Sequence, residues 1–313
     1  MNTGPLCEGG SFYDLDNMMI SFRQVLFTVF SLIVVNSAVG QNANTAEVAD
    51  GVYSYGDPAL RYISMFVVTE DGVIAIEPVS TAHSQGLVEA IRSVTDQPIR
   101  YLLHSHNHWD HSRGGQVFRD EGATIIAHVE AVEWMSANPH PDMLLPDESW
   151  GGSRKDVVLG GTTVELHYFG MNHGLGMTIF LLPAWRIAYI ADLVAPKRLL
   201  ATIGPDYNIK ELERTLGQIE KMDFDKAIFS HSARAAPLQG GTKQDVTDTL
   251  QYISDLRAAV HAEIETGTNP FRAPYEVRLP KYESWAMYDE WLAMNALKVF
   301  YEEHIGPFPW RPD

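Results

Sequence analysis

Between residues 104 and 111 the chain reads His104-Ser105-His106-Asn107-His108-Trp109-Asp110-His111, which puts five imidazole or carboxylate side chains into eight positions. The segment before it, Pro98 to Leu103, reads as a strand, and the segment after it, about Arg113 to Glu121, as a helix. A cluster of this kind at the end of a strand is where a rigid scaffold can hold metal. Strand side chains alternate between faces, so His106 and His108, two apart, can point the same way at one ion. Asp110 and His111, on the turn into the helix, can aim at a second ion beside it. Neutral imidazole and carboxylate oxygen suit zinc, iron or manganese. Thiolate sites are excluded, because the chain carries a single cysteine, Cys7, which also rules out an intramolecular disulfide.

Strand and helix signals alternate along the rest of the chain. Strands are expected at Gly51–Tyr55 and Tyr62–Thr69, with Glu70-Asp71-Gly72 turning into Val73–Glu77. Ser84 to Val94 carries apolar residues at helical spacing. Further strands are expected at Thr124–Ala127, Thr162–Phe169, Met177–Leu182, Arg186–Ala191 and Lys226–Phe229. Helices are expected at Ile209–Met222, Lys243–Glu265 and Tyr288–Glu303. Ser136 to Gly152 reads as a long irregular loop. No internal repeat or linker interrupts residues 51–313.

The pattern His106-x-His108-x-Asp110-His111 after a strand resembles the signature of the metallo-β-lactamase superfamily. Later landmarks fall in that family's order: His173 in a Gly170-Met171-Asn172-His173-Gly174 turn, Asp192 after the strand ending at Ala191, and His231 after the strand Lys226–Phe229. The resemblance covers roughly residues 50–260, although Glu77 stands where the family usually has Asp. It implies an α/β protein, an αββα four-layer sandwich with metal held at one edge between the two sheets. It also implies a ligand set in which His106, His108 and His173 hold one ion, Asp110, His111 and His231 hold another, and Asp192 bridges both. The expected cofactor is two Zn(2+) per chain, with Fe or Mn as alternatives. A metal-bridging hydroxide would then attack an ester, lactone, thioester or amide (β-lactam-like) bond, with Asp110 orienting it and taking its proton. His104 is expected beside the ligands and not among them. The alternative is a sulfur-dioxygenase-like oxidoreductase using non-haem iron on the same ligands.

Departures from the family narrow the substrate. Enzymes with a cysteine ligand at the second ion are excluded, since Asp192 stands in that role. Lactonases with a tyrosine shortly after the bridging aspartate fit less well, because Leu193-Val194-Ala195 follows here. Glyoxalase II enzymes bind glutathione carboxylates with basic residues, a role for which Lys197 or Arg198 is available. Trp150, in the loop Ser136–Gly152, and the aromatic tail from Pro270 offer an apolar wall for a small-molecule substrate.

Composition bounds the remaining possibilities. With 13 Phe, 13 Tyr and 7 Trp the chain is globular and not disordered. A net charge of −17 repels phosphate backbones, which argues against nucleic acid and favours a neutral or hydrophobic substrate. Near the N-terminus an apolar run of 11, Val25 to Val35, follows Arg23 and precedes small residues Ala38 and Gly40. This is the pattern of a secretory signal peptide, too short for a membrane span of about 20 apolar residues. The expected organisation is therefore residues 1–40 as extension and signal peptide (about 18–40, with Met18 or Met19 a better start). Residues 41–269 form the hydrolase domain, and 270–313 an aromatic tail packed on it. The protein is expected to be secreted or periplasmic, with no stable membrane span after processing and no feature that dictates an oligomer.

Overall fold

The computed structural model describes residues 44–59, 61–201, 206–269 and 271–307. The expected signal peptide and the extension before it lie outside the described residues. The first half of the chain supplies strands β1 (Thr45–Ala49), β2 (Val52–Gly56), β3 (Ile63–Thr69) and β4 (Gly72–Ile76). Helix α1 (Thr81–Arg92), β5 (Ile99–Leu103), the short helices α2 (Trp109–Ser112) and α3 (Gly115–Asp120), β6 (Thr124–His128), α4 (Val129–Ala137) and β7 (Glu148–Trp150) follow. These strands form one seven-stranded sheet in sequence order, antiparallel from β1 to β4 and parallel from β4 to β7.

The second half supplies β8 (Arg154–Leu159), β9 (Thr162–Tyr168), β10 (Thr178–Leu182), β11 (Ile187–Ile190), α5 (Ile209–Ile219), β12 (Lys226–Phe229), β13 (Gly241–Thr242) and α6 (Lys243–Glu265). Its sheet has the order β13-β12-β11-β10-β9-β8, with β11 and β12 parallel. Helices α7 (Ala273–Glu276) and α8 (Tyr288–Ile305) close the described chain. No helix among the described residues is long and apolar enough to cross a membrane.

Burial explains why these strands read as continuous apolar runs. In β4, Val73 and Ala75 face a cluster built with Leu87 and Ile91 of α1 and Phe118 of α3. Ile74 and Ile76 face the opposite way, into a core shared with Ile179, Phe180 and Leu181 of the second sheet. A strand buried on both faces has no polar side to alternate with. The second sheet is covered in turn by Leu212 and Leu216 of α5 and by Tyr252, Ile253 and Leu256 of α6. The result is the four-layer αββα sandwich.

Local chemistry sets the element boundaries. Helix α1 starts three residues before the expected Ser84, because the Ser80 hydroxyl accepts from the His83 amide (3.3 Å). The helix expected at Arg113–Glu121 begins only at Gly115, after Gly114, whose left-handed backbone (φ 86°) suits glycine. The Ser136–Gly152 stretch is less irregular than expected. Its start belongs to α4, which buries Ala131 and Met135 one turn apart, and its end to β7. Helix α6 begins at a capping box formed by Thr242 and Asp245. In the C-terminal segment, Tyr282 and Trp285 pack edge to face at 4.9 Å and join Tyr252 in the main core. Glu302 of α8 accepts from the Ile209 amide (2.8 Å), placing a carboxylate on the N-terminus of α5.

Two buried histidines make stability depend on pH. His83 meets the Ser64 hydroxyl at 2.8 Å, and both ring nitrogens of His104 lie buried without a partner. Burial lowers each imidazole from 6.5 to about 4. The unfolded chain binds protons below pH 6.5 that the folded chain refuses until about pH 4. Stability is therefore fully present above pH 6.5 and falls as pH drops from 6.5 towards 4, on the order of 3 kcal/mol for each histidine. Urea unfolding of the metal-free protein across pH 4–7 should show that decline, and His83→Gln should make it shallower. A flat profile, or an unchanged slope in the variant, would contradict it.

Candidate metal centre

All the histidines of the sequence pattern sit where strands end. β4 leads into Glu77, β5 into His104–His108, β11 into Asp192, and β12 into Ser230 and His231. Because β4 and β5 are parallel, and β11 and β12 likewise, these C-terminal ends are gathered within each sheet. The sheets are tied together at this edge: the Ile63 amide donates to Ser230 O (2.9 Å) and the Tyr189 hydroxyl to Ile63 O (2.7 Å). The loop carrying His106 is tied to the one carrying His173, since the Leu175 amide donates to Asn107 Oδ1 (2.6 Å) and the Thr178 amide to Ser105 O (2.8 Å).

At the centre is the Asp192 carboxylate. Its Oδ2 lies 3.0 Å from His173 Nε2, 3.2 Å from His111 Nε2 and 3.5 Å from His106 Nε2, and its Oδ1 lies 3.1 Å from His231 Nε2. The Ser230 hydroxyl donates to Oδ1 (3.0 Å). Asp192 occupies the middle of a three-residue turn closed by the Leu193 amide on Ala191 O, with φ 52°. Glu77 and Val79 nearby also have positive φ, at 78° and 65°. Backbone strain of this kind, on the order of 1–3 kcal/mol per residue, persists where surrounding contacts fix it and concentrates at functional sites.

A second ring of contacts orients the imidazoles. Glu77 Oε1 engages His111 Nδ1 in a very close contact, leaving Nε2 to face Asp192. Asp206 Oδ2 holds His108 Nε2 at 2.6 Å, so Nδ1 is that ring's remaining nitrogen. His106 Nδ1 meets the Ser105 hydroxyl (2.8 Å), and His231 Nδ1 meets Arg61 O (2.5 Å). The Tyr207 ring lies 3.9 Å from that of His173. Such partners select the tautomer and aim of a metal-binding histidine.

The electrostatics suit the binding of cations. Burial holds His106 well below the ordinary histidine range, reinforced by repulsion from His108 and His111, and burial also lowers His173. Burial opposes charge on His111, but Asp192 and Glu77 outweigh it and raise that imidazole well above its usual value. Asp192 lies well below the carboxylate range; burial raises it, and His111 together with bonds from His173 and His231 more than compensates. His106 Nε2 and His111 Nε2 are buried with no hydrogen-bond partner, although both face Asp192. Ring nitrogens that lack a well-formed hydrogen bond and point at one carboxylate are what a bound divalent ion would satisfy. Donor atoms of His106, His108, His173 and Asp192 lie within 4.8 Å of one another, as do those of His111, Asp192 and His231, and those of Glu77, His106 and His111. The residues present fit bound divalent metal.

The comparisons with known proteins agree with this geometry. The family model described as the metallo-beta-lactamase superfamily matches residues 60–231, from the turn before β3 to the histidine after β12. The chain belongs to the metallo-beta-lactamase superfamily. It is 29% identical over 285 residues to the 2,4-dinitroanisole O-demethylase subunit alpha of Nocardioides sp. (strain JS1661), covering 85% of this chain and 81% of that protein. Among solved structures, a metallo-beta-lactamase from Pontibacter korlensis superposes with a TM-score of 0.57 at 15% identity, over 67% of this chain and 98% of that one. The stereoselective inverting sec-alkylsulfatase Pisa1 from Pseudomonas sp. superposes at 0.66 with 14% identity, over 84% of this chain. The match covers half the length of the sulfatase.

Within this superfamily fold, His106, His108, His111, His173, Asp192 and His231 are brought together around one carboxylate. Asp110 lies at the rim, 3.6 Å from His111 Nε2, and outside the tightest groupings. Trp150 is a correction. It lies in β7 with only 6% of its surface exposed and its ring against His128, in the core and not in a substrate wall, because β7 pairs with β6 and turns that side chain inward. Lys197 also departs from the expected role, since its ammonium lies 3.4 Å from Asp248 and over the Trp285 ring. Trp109, between His108 and Asp110 in the chain, is exposed (42%), and its ring meets those of His140 and Trp134.

Sequence reading missed Tyr62, whose hydroxyl donates to Asp110 Oδ2 (2.9 Å) and whose ring lies 4.8 Å from that of His231. It also missed Asp206 and Tyr207. Their one sequence signal was position, immediately before Asn208, which caps α5 by accepting from the Glu211 amide (3.1 Å).

Gly174 supplies a sharp test of how tightly the ligands are held. A Cβ there would lie 2.7 Å from His106 Cδ2, and its φ of 64° disfavours other residues. Gly174→Ala should weaken zinc binding roughly 10–100-fold while leaving the circular dichroism spectrum unchanged. Competition with a chromophoric chelator measures it; wild-type affinity would show that His106 is not confined.

Proposed function

We propose that this chain is a metal-dependent hydrolase that binds two divalent ions, zinc by preference, and cleaves a C–O bond at an activated aryl ester or aryl ether. The observation that carries the reading is the convergence of five imidazoles on the single carboxylate of Asp192. His106, His108, His173 and Asp192 would hold one ion, and His111, His231, Asp110 and Asp192 the other. Such a pair supplies Lewis acidity and activates water near neutral pH. Asp110 is placed to accept a proton, being a rim carboxylate with one oxygen held by the Tyr62 hydroxyl. Burial works to raise its pKa, but His111 and the Tyr62 hydrogen bond bring it below the ordinary range, so it is ionised and ready to act as a base at neutral pH. Tyr62 fixes which way the carboxylate faces. Tyr207, Trp109 and Trp134 give the surroundings an aromatic character suited to a ring-bearing substrate. The O-demethylase relative supports an aryl ether among the substrates. The N-terminal apolar run supports export, which N-terminal sequencing of secreted protein would test.

The reading is tested with zinc-loaded protein by following 4-nitrophenolate release from 4-nitrophenyl acetate and 2,4-dinitrophenolate release from 2,4-dinitroanisole. Turnover of at least one, abolished by chelator and restored by zinc, is expected. Turnover only with stoichiometric iron and oxygen uptake would contradict it and favour the oxygenase alternative. Tyr62→Phe should lower kcat about tenfold, the worth of one hydrogen bond to a charged group, with metal content unchanged. Unaltered kcat would remove Tyr62 from the reaction.

A further inference from the structure

A cavity of about 650 Å³ opens between helix α1 and the turn that joins β2 to β3. Tyr62 and Asp110 belong to its wall, and the Tyr62 hydroxyl donates to Asp110 Oδ2 (2.9 Å). The Tyr62 ring also packs edge-on against those of His111 and His231, at 5.5 and 4.8 Å. One side chain therefore borders both the cavity and the proposed metal ligands. A second tyrosine, Tyr55, lines the cavity with its ring 5.0 Å from that of His83. Tyr55 is only 4% exposed, and its hydroxyl lies over Gly86, where an added Cβ would stand 2.0 Å from it. Gly86 sits inside α1, where glycine is a poor helix former, and what it provides there is room for that hydroxyl. Among the described residues the hydroxyl has no hydrogen-bond partner. Burial, with Asp57 and Glu89 nearby, raises its pKa, so it stays protonated and remains a donor.

A nearly buried donor is costly to leave unmatched, and one that lines a cavity can be matched by what enters it. The charged groups of the lining disfavour an anion there. Asp57, Glu89 and Asp110 stand against the guanidiniums of Arg61 and Arg113. Arg61 is already paired with Asp57 (3.6 Å), and Arg113 Nε donates to Trp109 O (2.7 Å). The volume falls within the roughly 300–1,000 Å³ of pockets that enclose drug-sized ligands, which is more room than one substituted ring needs. We infer that this cavity holds the part of the substrate beyond the bond that breaks, an uncharged aryl group bearing a hydrogen-bond acceptor for the Tyr55 hydroxyl. The substrate of the hydrolase proposed above, on whose reaction this assignment rests, is then an extended, uncharged compound of two rings. Single-ring compounds such as 2,4-dinitroanisole would leave much of the cavity to water. An uncharged substrate also accords with the overall charge of −17.

Calorimetry on zinc-loaded protein with benzophenone, two rings joined by a carbonyl that cannot be hydrolysed, separates this inference from the proposed reaction. Wild type should bind it. Ala82→Trp, at an exposed position of α1 on the cavity wall, should weaken binding roughly tenfold or more by filling the space. Tyr55→Phe, which removes only the hydroxyl, should weaken it about fivefold, the worth of one hydrogen bond. Zinc content and circular dichroism should be unchanged in both. Gln85→Trp serves if Ala82→Trp fails to fold. No binding by wild type, or wild-type affinity in either the filled or the Tyr55→Phe variant, would overturn the inference. Binding that both changes weaken supports it even if no ester or ether is hydrolysed, an outcome that would count only against the proposed reaction.

Discussion

The arrangement depends on placing one carboxylate, Asp192, among imidazoles drawn from both sheets. Burying a charged group is expensive unless it is matched on every side. Asp192 is matched by His111, His173 and His231 and by the Ser230 hydroxyl. None of these comes from a neighbouring residue. His111 arrives from the first sheet, His173 from the loop between β9 and β10, and Ser230 and His231 from the end of β12. The carboxylate can be satisfied only when the sandwich has closed, so the site and the inter-sheet packing form together.

That dependence explains why so much of the surrounding structure serves precision. The Ile63–Ser230 and Tyr189–Ile63 hydrogen bonds fix one sheet against the other beside the centre. Asn107 fastens the His106 loop to the His173 loop, and Gly174 lets them approach more closely than any side chain would allow. Glu302, far along the chain, caps α5 and so steadies Asp206, Tyr207 and Asn208. The C-terminal helix thereby reaches the segment beside the site through α5.

The fold was largely legible in the sequence, and the reason is physical. Strands buried on both faces, such as Val73–Ile76 and Ile187–Ile190, leave unmistakable apolar runs, and the residues that end them carry the chemistry. Asp192 and the five histidines drawn round it could be named because each follows a strand. What escaped reading comes from elements whose sequence carries no such mark. Tyr62 is one of 13 tyrosines, and only the turn before β3 brings it to Asp110. Trp150 looked available because it falls in the stretch Ser136–Gly152, read as an irregular loop, but a three-residue edge strand buries it. Arg198 and Lys197 are adjacent and chemically alike in sequence. Backbone hydrogen bonds with Ala286 hold that segment, with Arg198 laid against the Trp291 ring and Lys197 turned to Asp248.

The central proposal is that Asp192 would serve two ions. Titration of zinc into metal-free protein, followed by calorimetry, tests it most directly. Two ions per chain are predicted for wild type, one for His231→Ala, and near-complete loss of both for Asp192→Ala. Two ions retained by Asp192→Ala, or a single ion bound by wild type, would contradict it.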